Sequence, residues 1–136
     1  MKTTVSFNYP TAGCYEGKLT GVFYGQNKWS RSLQYVFDFT LTHKFSDEGT
    51  PEPLRKSLKY SRVIQLTEDN EMLHKFLQAI NWPDSEDDEM EFESVGGNEV
   101  KIPIELPRLF WVDFSKGTSR AAQFKSIIPV ISDGVN

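Results

Sequence analysis

Residues 33–42 read L-Q-Y-V-F-D-F-T-L-T, and the strict alternation of this stretch decides the fold. Leu33, Tyr35, Phe37, Phe39 and Leu41 fall on one face; Gln34, Val36, Asp38 and Thr40 fall on the other. Successive side chains of a strand point to opposite faces, so a period of two predicts a strand with one buried side. Just upstream, residues 14–24 alternate in the same way. Tyr15, Gly17, Leu19, Gly21 and Phe23 face one side, with Glu16, Lys18 and Thr20 opposite. Gly17 and Gly21 are poor strand formers and predict a bulge or bend, as a strand needs when it serves two faces of a small barrel. The two strands pair through residues 25–31, which read as an exposed loop.

Downstream, residues 45–53 contain Gly49, Pro51 and Pro53 and read as a loop. Residues 58–66 read as a third strand. The period then changes: Leu73, Phe76, Leu77 and Ile80 follow the i, i+3, i+4, i+7 spacing of an amphipathic helix. Thr67, Asp69 or Asn70 can cap its start, and Pro83 is expected to end it. Val100, Ile102, Ile104 and Leu106 suggest a fourth strand, which Pro103 confines to an edge or bulge. Residues 109–114 continue that strand, and residues 121–131 supply the fifth and last. Strand, strand, strand, helix, strand, strand is the order of a five-stranded Greek-key OB-fold barrel with one helix between strands three and four. The expected fold class is therefore mainly β, one domain over residues 1–136, with an acidic loop at 84–98 and a polar tail at 132–136.

Composition agrees with a globular domain: 136 residues, 25% charged, with ten Phe, five Tyr and three Trp. No apolar run reaches the roughly 18 residues needed to span a bilayer. The opening M-K-T-T lacks a signal-peptide core, and the single cysteine, Cys14, gives no disulfide framework. These features point to the cytoplasm and to no membrane partner.

The net charge of −4 hides a division. Residues 1–66 carry nine basic against five acidic side chains, a net of +4. Residues 67–105 carry two against twelve, a net of −10, and residues 106–136 four against two, a net of +2. A basic face can thus coexist with the acidic run D-S-E-D-D-E-M-E-F-E at 84–93.

Signals for catalysis are thin. The two histidines, His43 and His74, lie apart, and His74 reads as a solvent-facing helix residue. No zinc-ligand spacing, phosphate-binding glycine loop or calcium-loop alternation occurs, so no metal, cofactor or catalytic residue is assigned. Binding signals are stronger. Y-G-Q-N-K-W-S-R at 24–31 places Trp29 between Lys28 and Arg31, with Tyr24 at its start. An exposed ring can stack on a base while neighbouring cations meet phosphates. Lys59, Tyr60 and Arg62 on the third strand, Trp111 in the continuation of the fourth, and Lys116 and Arg120 before the last complete the candidate nucleic-acid contacts. The opposing readings are structural. Tyr35, a further aromatic of the hairpin, can equally belong with the core beside Phe37 and Phe39, Trp29 can fold back over the barrel end, and Lys59 and Arg62 have opposite parity. One of the adjacent pair Phe110 and Trp111 should be buried.

Several segments are similar to phage-encoded single-stranded DNA-binding proteins of the OB-fold type. They are A-G-C-Y-E-G-K-L-T-G-V (12–22), Y-V-F-D-F-T-L (35–41), M-L-H-K-F-L-Q-A-I (72–80), S-V-G-G-N-E-V-K-I-P-I-E (94–105) and A-A-Q-F-K-S-I-I-P-V (121–130). The resemblance implies a non-catalytic protein that coats single-stranded DNA with little sequence preference in phage replication or recombination, inside the host cytoplasm. Replication or recombination proteins would be its partners. Many such proteins end in an acidic tail with a terminal aromatic; here the last residues are I-S-D-G-V-N and the acidic run is internal. Stacking ignores the 2′-hydroxyl, so RNA stays open beside DNA. An alternative is an interaction module or nucleic-acid mimic that uses the acidic surface to inhibit a host protein; a nuclease or hydrolase is a weaker third. An edge strand at 100–106 could pair subunits into a homo-oligomer, although Pro103 opposes a long ladder.

Overall fold

The first strand, β1 (Gly13–Gln26), organises the molecule, because every other ladder is built on it or on its neighbours. In this computed structural model, residues 9–83, 98–117 and 122–130 are described. β1 pairs along its length with β2 (Leu33–Phe45), which pairs in turn with β3 (Pro51–Gln65). On its other edge β1 is shared: residues 13–18 pair with β5 (Leu109–Ser115), and Phe23 and Tyr24 pair with the two-residue β4 (Asn98–Glu99). β6 (Gln123–Pro129) flanks β5. The sheet order is β3-β2-β1-β5-β6, all ladders antiparallel, with a single helix, α1 (Glu71–Ala79), among the described residues.

The expected glycine bulges occur. The β1–β2 register shifts between Glu16 and Gly17 and again between Leu19 and Gly21. Gly17 lies where a Cβ would come 2.7 Å from Leu41 Cδ2 and 3.1 Å from the Thr40 carbonyl oxygen, so only glycine permits this approach. The second shift changes which residues point inward. Tyr15 and Leu19 are buried before it, Val22 and Tyr24 after it. Phe23, expected inside, is consequently displaced to the outer face.

β2 follows its pattern without interruption: Tyr35, Phe37, Phe39 and Leu41 are all buried. β3 begins at Pro51, well before the expected residue 58. Pro51 and Pro53 pair with Phe45 and His43, and their missing N–H groups cost nothing on the open side of an edge strand. The expected strand at 100–106 is replaced by irregular chain. Only β4 and the Val100 N–H, which donates to the Val22 carbonyl, extend the sheet; Pro103 instead accepts from the Leu106 N–H in a turn. The edge strand at 100–106 that could have paired subunits is therefore not formed.

α1 ends earlier than Pro83. Asn81 adopts the left-handed conformation (φ 62°), its N–H donates to the Gln78 carbonyl, and the Trp82 N–H donates to the Leu77 carbonyl. This paired reversal satisfies the last free carbonyls and stops the helix. At its start, the Asp69 carboxylate accepts bonds from the Thr67 hydroxyl and the Glu71 N–H. α1 buries Leu73 and Phe76, and the Phe76 ring lies 4.7 Å from that of Phe37.

The sheet curls around this core far enough to bring its edges together. The rings of Tyr60 on β3 and Phe124 on β6 are parallel at 6.2 Å. No ladder joins β3 to β6 among the described residues, so the barrel-like sheet is not closed.

Candidate nucleic-acid interface

The β1–β2 connection is built by Asn27. Its Oδ1 accepts the N–H groups of Trp29 (2.9 Å) and Ser30 (3.0 Å), a side chain standing in for a backbone turn acceptor. Its backbone carbonyl accepts the Arg31 N–H at 2.9 Å, and its own N–H donates to the Ser32 carbonyl at 2.9 Å. Gln26 Nε2 donates to the Arg31 carbonyl, Asn27 Nδ2 to Gln34 Oε1, and Arg31 closes the turn in the left-handed region (φ 59°). Gly25, read from sequence as part of the turn, is still in strand. The consequence is a defined backbone with a bare side chain: Trp29 is 89% exposed, between the exposed Lys28 and Arg31. It does not fold back over the barrel. An indole held out in this way stacks on a base for about 1–3 kcal/mol, while the cations offset phosphate charge.

Tyr24 is not part of this surface. It is 2% exposed, with its ring 4.8 Å from that of Tyr35, because the bulge at Leu19 and Gly21 turns it inward. Tyr60 also faces inward and is half-buried, 4.9 Å from Phe114 and 6.3 Å from Phe39. Burial pushes its phenol up, partly countered by the charge and hydrogen bond of Arg62. Arg62 shares this inner side and lies over the Phe124 ring at 4.5 Å.

Lys59 points the other way, as its parity requires. It pairs with Thr40, whose β1 partner is Lys18, so two exposed lysines flank Thr40 on the outer face. Thr40 lies six residue steps along β2 from Gln34 at the base of the tip, roughly 20 Å of strand. Between them runs an apolar row that was not legible in the sequence: Phe23, Val36 and Val63 are cross-strand neighbours, and Val63 is 43% exposed. Alternation did put Val36 outside; Phe23 needed the bulge. Asp38 interrupts the face and accepts the Ser61 hydroxyl at 2.6 Å.

Trp111 and Phe110 divide as expected, Phe110 buried and Trp111 39% exposed. The Trp111 indole sits edge-on to Phe45 at 5.8 Å, and its Nε1–H donates to Glu16 Oε1 at 3.4 Å. Glu16 lies 3.7 Å from His43 Nδ1. Lys116 is exposed just past β5, at the Gly13 end of β1, whereas the hairpin tip lies at its Gln26 end. The ladder therefore does not bring Lys116 to Trp29. Arg120 and the acidic run at 84–93 lie outside the described residues.

Among the described residues, no three His, Cys, Asp or Glu side chains group as metal ligands. Burial, then the Asp113 charge, pushes the Cys14 thiol up, which disfavours a nucleophilic thiolate. No described helix is long and apolar enough to cross a membrane. Compared with protein-family models, curated proteins and solved structures, the chain matches none.

Proposed function

We propose that this chain is a non-catalytic single-stranded DNA-binding protein of the OB-fold type, with little sequence preference, serving phage replication or recombination in the host cytoplasm. The observation that carries the proposal is Trp29, presented almost fully to solvent on a hydrogen-bonded turn between two cations. Exposing so large an apolar group on an ordered backbone is what a base-stacking platform requires. The apolar row Phe23, Val36 and Val63 and the lysines Lys18 and Lys59 extend the same chemistry along the sheet. The OB-fold reading draws on the ladder order, in which β1 serves both β2 and β5, and on β3 and β6 facing each other one ladder short of closure. Phage origin and role rest on the resemblance of the quoted segments. Nothing observed on the described residues favours the acidic docking module, whose acidic run lies outside them.

Titration of intrinsic tryptophan fluorescence with oligo-dT tests the reading, with Trp29→Phe as control. Quenching that weakens steeply with salt and disappears in the variant is expected. Absence of any salt-sensitive change in the wild-type chain at low ionic strength would sink it. Competition with oligo-U decides between DNA and RNA.

A further inference from the structure

Where β3 and β6 face each other beside α1, the surface opens into a groove of about 280 Å³. Its apolar lining comes from Met72, Phe76, Ala79, Phe124 and Ile127, and its cations are Arg62, Lys75 and Lys125. No carboxylate lines it. Two carboxylates stand nearby, each holding one lysine from outside: Glu71 on Lys75 at 2.9 Å and Asp113 on Lys125 at 3.6 Å. Exposed pairs of this kind are weak and exchange partners readily. Arg62 forms no ion pair among the described residues, and its Nε is shielded from water without a hydrogen-bond partner there.

We propose that this groove docks an acidic peptide segment of a partner protein, one that inserts a bulky apolar side chain between the three cations. The size suits a single side chain, being just under the range of pockets that enclose whole small ligands. The charge suits carboxylates flanking that side chain. A nucleic-acid base fits less well, because the aromatic rings here are already engaged. Phe124 is stacked by Tyr60 at 6.2 Å and covered by Arg62 at 4.5 Å, and Phe76 packs on Phe37 and Phe124. Beside these two rings the groove offers Met72, Ala79 and Ile127 and a cationic rim. Met72, 57% exposed on α1, supplies a flexible thioether that adapts to different apolar partners. This inference is independent of the hairpin reading and survives its failure.

The test uses the full chain and a fluorescein-labelled peptide, D-D-E-L-F-E-D-D, followed by fluorescence anisotropy at low salt. Saturable binding is expected. The double variant Lys75→Gln/Lys125→Gln should weaken it about tenfold, since two partly exposed charge contacts are lost. Met72→Glu, at an exposed site that leaves the thermal melt unchanged, should weaken it as well. Oligo-dT affinity should stay the same in both variants. Unchanged peptide affinity in the double variant would overturn the proposal. So would equal binding of a peptide with alanine in place of Leu and Phe, which would reveal charge attraction alone. A parallel loss of oligo-dT affinity in the variants would assign the groove to nucleic acid instead.

Discussion

The shaft and the tip of the β1–β2 hairpin use the same kind of side chain for opposite ends. Tyr24, Tyr35 and Phe37 in the shaft are at most 2% exposed, whereas Trp29, five residues beyond Tyr24, is 89% exposed. The difference is not in polarity, since all four are aromatic. It lies in what the backbone is bonded to. In the shaft, ladder hydrogen bonds fix alternation and the alternation drives rings into the core. At the tip, Asn27 replaces the ladder as acceptor, no parity is imposed, and the indole points to water. An aromatic on a ladder reads as core; an aromatic released from it by a side-chain-built turn is available to a ligand.

Truncating the shaft should have the largest effect. Phe37→Ala removes a fully buried ring that touches Tyr35, Phe76 and Trp82, and should cost about 3–5 kcal/mol, read from the urea midpoint. A loss below about 1 kcal/mol would break the contrast with the tip, since that is an ordinary surface effect.

At the tip, Trp29→Ala should leave stability within about 0.5 kcal/mol. It should weaken oligo-dT binding by about 1–3 kcal/mol, roughly five- to 150-fold. Measuring the urea midpoint and the fluorescence-anisotropy affinity on the same preparation separates the two roles. A destabilised variant with unaltered affinity would make Trp29 structural.

Asn27→Ala is expected to be milder. It removes the acceptor of two N–H groups, worth about 1 kcal/mol, and loosens the turn that presents the indole. The affinity loss should exceed the stability loss, and equal losses would show that the turn does not preorganise the site.

Alkaline pH tests the burial of the shaft without a substitution. Burial, with the nearby Tyr24 hydroxyl, pushes Tyr35 up to about 12, and burial moves Tyr24 and Tyr60 in the same direction. The unfolded chain then releases these protons first, so their contribution to stability is complete below pH 10 and is lost as pH rises toward 12. Tyrosinate absorbance followed alongside unfolding should show late-titrating hydroxyls in the folded protein. Uniform titration near the ordinary tyrosine value would place the shaft rings in solvent.

Local pattern carried much of this into view. Alternation in residues 33–42 marked β2 and its inward face, the i, i+3, i+4 spacing marked α1, and two glycines marked the bulges of β1. The placement of Trp29 among cations in a turn was also legible, as was the opposite parity of Lys59 and Arg62, but whether the indole folds back over the barrel was left to the structure. What escaped depends on partners distant in the chain. A bulge shows its effect only against the opposing strand, so Tyr24 read as available and Phe23 as core. Pro51 and Pro53 read as loop until β3 proved to be an edge, where a missing N–H is harmless.

By itself, then, the order of residues determined the strands at 14–24, 33–42 and 109–114, the helix that follows the third strand and which face of β2 is apolar, because those follow from short-range periodicity. It also determined that Trp29 sits among cations in a turn. Tertiary structure alone decided that Tyr24 is core, that Phe23, Val36 and Val63 share a row, and that Arg62 meets Phe124 across the seam. Those outcomes arise from register and sheet curl, which bring residues far apart in the chain together; no local window of sequence encodes them.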